Sequence, residues 1–213
     1  MKHLTREISM LILTLLPIAV LYYFWSAMPA SIPLHYGIDG QPDRFGAKEI
    51  LTWFIPIASL LMYALLWAVP YIDPKKRISP DQRSYLIVRL ILTGFLCLTL
   101  TGYLLSLIQI WNFDMAVAVT LMIFLMVLGN YLPTLKQNYF VGIRTPWTLH
   151  NEQVWTQTHR FSGRLWVTVG LAGMLWVLLT PASAILTIAL GAVGAAGIAS
   201  ILYSYIAYKR QPQ

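Results

Sequence analysis

Few groups in this chain could make or break bonds, and their spacing argues against catalysis. The 213 residues include one cysteine and four histidines. Cys97 lies in the apolar run FLCLTL with no basic neighbour to lower its pKa, so it reads as a small core or lipid-facing residue. Being single, it forms no intramolecular disulfide. His150, Glu152 and His159 are close in sequence and invite a metal reading. The two histidines lack the four-residue spacing of a zinc helix, however, and HExxH is absent. GxSxG and phosphate-cradling glycine loops are absent as well. The sequence therefore predicts no enzyme, no metal site and no cofactor. What remains is recognition chemistry: polar groups in loops, and arginines such as Arg144 and Arg160 that can pair with anions.

The elements that must position these groups follow from composition. Hydrophobic residues make up 58% and charged residues 11%, with a mean hydropathy of +0.64. A soluble domain carries about 25% charge, so a soluble globule is excluded. Six stretches are long and apolar enough to cross a bilayer: 8–25, 50–71, 86–110, 115–132, 161–179 and 182–208. Trp25, Tyr71, Trp111 and Tyr131 mark interfacial ends, and Arg89, Arg164 and Lys209 lie near enough to ends to snorkel. Lys2 and Arg6 precede the first run, but Met28 and Pro29 sit where a cleavage site needs small residues, so that span is expected to stay uncleaved. Thirteen of the fifteen lysines and arginines fall on one side of this topology, and only Arg44 and Lys48 on the other. The positive-inside rule then places both termini in the cytoplasm, and His3 and His35 on opposite faces. The expected fold is an all-α integral membrane protein, a six-helix bundle. The net charge of +7 is accounted for by this asymmetry, so direct nucleic-acid binding is not expected.

Three loops carry the remaining information. The first outer loop, 26–49, is rich in Pro, Gly and Asp-Gly and predicts a compact folded loop. It is either a recognition surface, with His35, Tyr36, Asp39, Gly40, Asp43 and Lys48 as candidates, or a cap on the helix ends. The inner run DPKKRISPDQRSY reads as a topology determinant in contact with lipid headgroups. The second inner segment, 133–164, is polar yet holds Tyr139, Phe140, Trp147, Trp155 and Phe161, more aromatic mass than a linker needs. Asn151 can cap a helix with Glu152 in its first turn. Val154, Trp155, Thr158 and Phe161 then predict an amphipathic helix entering span five, partly in the headgroup layer, with Trp155 stacked on His159. Span six carries GAVGAAGIAS, whose small residues suit close packing inside the bundle or a homodimer seam. Acidic residues are confined to loops and helix ends, which argues against transport of a charged solute.

Two stretches resemble a known family. IPLHYGIDGQPDRFGAK is similar to the DUF1648 module that follows the first span of SdpI-type bacterial membrane proteins. GNYLPTLKQNYFVGIRTPWTLHNEQVWTQTHRFSGRLWV resembles the SdpI signature, with GIRTPWTL and VWTQTHR its most specific parts. The resemblance implies two regions: 1–72 with the DUF1648-like loop, and 73–213 with the signature at 129–164. It implies a plasma-membrane immunity protein against a secreted, SdpC-like killing peptide. It also implies a receptor that retains an ArsR-type repressor at the cytoplasmic face. Carried over by residue, it makes Asn130, Lys136, Asn138, Tyr139, Gly142, Arg144, Thr145, Pro146, Trp147, Trp155, His159 and Arg160 a candidate inner interaction surface. A transport-related or structural subunit whose inner segment binds membrane lipids or a partner is the alternative.

Overall fold

The structure, a computed structural model, describes residues 2–37, 41–73, 78–179 and 185–211, with the side chains of 2–4 and 178 left aside. Asp39, Gly40, Lys75, Lys76, Arg77 and the Thr180-Pro181 turn lie outside the described residues, as does the side chain of His3. Five long helices are apolar enough to cross a membrane, and the chain is a multi-pass membrane protein. They are α1 (Lys2–Tyr23), α2 (Leu51–Ile72), α3 (Arg83–Leu107), α4 (Phe113–Tyr131) and α7 (Ile185–Lys209). Two more helices belong to the signature segment: the short α5 (Pro146–His150) and the 28-residue α6 (Glu152–Leu179).

The start of α6 runs into the apolar run as expected. Its N-terminal third is part of one continuous rod with the apolar run from Phe161, capped as anticipated by Asn151, whose Oδ1 accepts from the Gln153 and Val154 amides. One face of this third turns inward onto the bundle. Val154, Trp155, Thr158, His159 and Ser162 are all buried against protein. His159 finds its partners there, the Ile143 amide and the Trp155 carbonyl, whereas the Thr158 and Ser162 hydroxyls are buried without a hydrogen-bond partner among the described residues.

Helix α4 is central, packing on α3, α6 and α7, while α1 packs on α2 and α3. Helices α4 and α6 approach closely at a glycine pair. A Cβ on Gly163 would lie 2.7 Å from the Gly129 carbonyl oxygen, so the two backbones meet with no side chain between them. Three apolar clusters fill the bundle. Leu21, Ile32, Ile55 and Leu104 form one at the end near residue 30. Met122, Leu125, Val177 and Ala189 form the middle. Val88, Leu128, Leu132 and Trp155 form the opposite end.

The loop 26–49 contains a β-hairpin, an addition to the all-α expectation. Strand β1 (Ser31–Tyr36) pairs antiparallel with β2 (Pro42–Ala47), with a register shift after Pro33. Pro33 and Pro42 disguise both strands in the sequence, because proline removes a ladder donor. In a two-stranded ribbon each strand is an edge, and the missing donors can face outward. Ile32 is fully buried in the bundle end, and the Tyr103 hydroxyl donates to the Pro33 carbonyl at 2.7 Å, so the hairpin is seated on the helices.

Candidate functional site

The signature segment folds into a knot of side-chain-to-backbone hydrogen bonds at the end of the bundle opposite the hairpin. Asn138 begins it: Oδ1 accepts from the Phe140 and Val141 amides, and Nδ2 donates to the carbonyls of Lys136 and Val141. Gln137 Nε2 donates to the Thr148 carbonyl at 2.7 Å. Thr145 and Thr148 form a reciprocal capping box that starts α5. Trp147, on α5, packs between Tyr205 and Tyr208 of α7, with ring centroids 5.1 and 6.3 Å away.

His159 holds the centre. The Ile143 amide donates to its Nε2 at 3.0 Å, so Nε2 is unprotonated. Nδ1 therefore carries the proton and donates to the Trp155 carbonyl, 2.8 Å away. The ring stacks on Trp155 at 4.0 Å, as its four-residue spacing predicted. Trp155 Nε1 in turn donates to the Leu135 carbonyl at 2.7 Å. Burial pushes the His159 pKa down to about 4, against a smaller opposite effect of the Trp155 carbonyl bond. This imidazole is neutral at physiological pH and serves as a fixed two-sided bracket.

Gly142 explains why no side chain is accommodated in front of that bracket. Its φ is +117°, and an added Cβ would stand 2.4 Å from His159 Nε2 and 3.0 Å from the Trp155 ring. Gly142→Ala is expected to lower stability by on the order of 2 kcal/mol. Thermal unfolding in detergent measures this, with Gly194→Ala as control, since a Cβ there meets nothing within 4 Å.

The expected inner surface thus divides. Asn138, Thr145, Trp155 and His159 are buried and hold the segment's own backbone, which corrects their reading as surface contacts. The reason is that a long irregular segment must satisfy its backbone groups, and these side chains do so. Tyr139, Gly142 and Trp147 are half-buried. Asn130, Lys136, Arg144, Pro146 and Arg160 remain exposed and able to meet a partner. Arg144 Nη1 also donates to the Tyr139 carbonyl at 2.6 Å, which ties one edge of its exposed guanidinium to the segment.

At the hairpin end the candidates also split. His35 and Asp43 pair across the strands at 2.7 Å and are both more than half exposed. Tyr36 stacks on Phe113 of α4, 4.6 Å between centroids, and its phenol pKa is raised by burial and then by the Asp114 carboxylate. Lys48 is a strap: Nζ donates to the carbonyls of Trp25 and Met28 and lies 4.6 Å over the Trp25 ring. A hollow of about 480 Å³ opens between β1 and the α3–α4 turn, lined by Pro33, Tyr36, Trp111 and Phe113 among others.

One polar cluster escaped the sequence reading. Arg89 does not snorkel; it is 4% exposed and forms a two-pronged ion pair with Glu7 of α1, at 2.8 and 3.1 Å. The Tyr63 hydroxyl of α2 donates to Glu7 Oε2 at 2.8 Å, and the Tyr85 hydroxyl donates to the Leu66 carbonyl. Three helices are thus pinned near one end by groups that hydropathy scored as terminal charges. Their only sequence signal is position: Glu7 and Arg89 each lie about two turns into helices running the same way. Among the described residues no group of three metal-ligating side chains converges.

Comparison with known proteins fits these two built regions. Residues 134–204 match the SdpI/YfhL protein family, and residues 12–60 match DUF1648, a domain of unknown function. Immunity protein SdpI of Bacillus subtilis (strain 168) is 28% identical over 170 residues, covering 80% of this chain and 79% of that protein. An uncharacterized protein of Archaeoglobus fulgidus is 40% identical over 47 residues, which span 20% of this chain and 26% of the archaeal one. No solved structure matches. The chain carries an SdpI/YfhL-family region preceded by a DUF1648 region, and its resemblance to the SdpI family extends over most of its length.

Proposed function

We propose that this chain is an immunity protein of the bacterial plasma membrane that protects the cell from a secreted antimicrobial peptide of the SdpC type. The observation that carries the reading is the similarity to immunity protein SdpI along four fifths of the chain. The topology that suits it has six crossings, α6 being the sixth, with both termini in the cytoplasm and the hairpin outside. At about 1.5 Å per residue the 19 residues of α6 from Phe161 to Leu179 reach some 28 Å, about the thickness of the hydrocarbon layer, with the polar N-terminal turns of the helix outside it. The basic residues, all but Arg44 and Lys48, then lie inside.

In this reading region 1–72 presents the peptide-facing surface and region 73–213 the cytoplasmic one, sharing a single bundle. The exposed His35–Asp43 pair and the half-buried Tyr36 beside it are the described outer groups offered to a peptide. Lys136 and Arg144 are the inner groups offered to a cytoplasmic partner such as an ArsR-type repressor. The test is survival of a toxin-sensitive bacterium that expresses the chain when SdpC-type peptide is added outside. Protection by the wild type, reduced in His35→Ala/Asp43→Ala at equal membrane expression, supports the reading. Death of cells with confirmed expression overturns it. Arg144→Ala is expected to leave protection intact and to abolish any induction of a repressor-controlled reporter.

A further inference from the structure

Arg160 and Arg164 differ from the other well-placed arginines. Arg89 is buried against Glu7 and Arg144 is bonded to a carbonyl, whereas Arg160 and Arg164 are exposed with no carboxylate within ion-pair distance among the described residues. They are four apart on α6, so two like charges sit on one helix face, which is unfavourable unless an anion lies between them. They stand where α6 passes from its polar third to its apolar run, the position at which a spanning helix would meet headgroups.

The surface below them is grooved on both sides. One hollow of about 490 Å³ runs between α6 and α7, lined by Arg160, Arg164, Phe161, Leu165 and Tyr203. Its wall is rigid, since Phe161 and Tyr203 stack face to face at 4.0 Å. A second hollow of about 310 Å³ lies toward α4, walled by Pro133 and Val167 and floored by the Gly129–Gly163 contact. Arg164 and Thr168 form the ridge that lines both, and the Thr168 hydroxyl is committed to the Arg164 carbonyl at 2.9 Å. Arg164 on the ridge and Arg160 one turn away on the wall of the first groove, with a groove falling away on each side, match one phosphate carrying two acyl chains.

We propose that this ridge is a binding site for an anionic phospholipid, its phosphate held by Arg160 and Arg164 and its chains laid along the two grooves. The assignment stands apart from the immunity reading and uses none of its residues except Arg160, an arginine both readings treat as anion-binding.

The experiment uses the purified full chain in detergent, with native mass spectrometry and thermal unfolding. Phosphatidylglycerol, phosphatidylcholine of the same chains, and inorganic phosphate are added separately. Phosphatidylglycerol is expected to give a retained adduct and a raised Tm, and phosphatidylcholine much less of both. R160Q/R164Q is expected to weaken that preference on the order of tenfold, while the charge-matched pair K209Q/R210Q retains it. Equal binding of the two lipids overturns the proposal, as does equal loss in the control pair. Stabilisation by inorganic phosphate alone at the same level also overturns it, since the site would then serve a soluble anion.

Discussion

Replacing Arg89 by leucine is expected to be the most damaging single change in the chain. Arg89 is 4% exposed and Glu7, at 17%, is largely covered beside it, so removing the cation leaves a poorly solvated carboxylate without its partner. Breaking a buried pair from one side costs about 3–5 kcal/mol, because the remaining charge keeps its desolvation penalty and loses its partner. Glu7→Leu alone should cost about as much for the mirror reason. The double variant Glu7→Leu/Arg89→Leu removes both penalties and should recover most of the loss. Thermal unfolding in detergent, with the four proteins compared as a cycle, measures this. If the double variant is as unstable as the sum of the singles, the pair is not the clamp described here. The cycle also tests whether α1 and α3 are tied at that level, since the contact spans 82 residues of sequence.

How much of this was legible beforehand depends on whether the signal was local. The helices were readable because a bilayer demands length and apolarity that few other contexts require; the ends of α2, α3 and α4 lie within three residues of those expected, while α1 and α6 begin earlier, in polar turns that hydropathy does not mark. Asn151 as a cap and Trp155 beside His159 were readable because both depend on spacing along one helix. The Thr145-x-x-Thr148 capping box had the same kind of signal and passed unremarked. The hairpin hid behind its prolines. Glu7 with Arg89, and His159 with Ile143, were not legible because each joins separate elements whose relative height the sequence leaves open. The signature's polar residues illustrate the same limit. Asn138 and Arg144 both look like surface groups in the string, yet one satisfies buried backbone and the other faces outward.

That division has a functional consequence for reading variants of the signature. A loss of protection at Asn138, Thr145, Trp155 or His159 would report collapse of the knot, since their polar atoms are spent on backbone groups. Loss at Lys136 or Arg144 with normal unfolding would report a contact, because truncating an exposed side chain changes stability little. Protein abundance in the membrane separates the two classes before any killing assay is interpreted.

His159 makes the knot sensitive to acid, with a definite sign. Its pKa in the folded chain is about 4, below the ordinary value of 6.5, because burial opposes the charged ring and Nε2 must stay free to accept from Ile143. Between those two values the unfolded chain binds a proton that the folded chain refuses, so stability falls as pH drops through that window. Above about 6.5 the contribution is complete, and below about 4 the loss stops growing. The full span corresponds to about 3 kcal/mol at 1.36 kcal/mol per unit. Unfolding in detergent is therefore expected to show a Tm that is flat near pH 7.5 and declines steadily toward pH 4.5. His159→Gln, less stable at neutral pH through the lost bracket, should lack this part of the decline, so the two curves converge on the acid side. A His159→Gln curve that runs parallel to the wild type over the whole range would show that the imidazole is not held neutral by the knot.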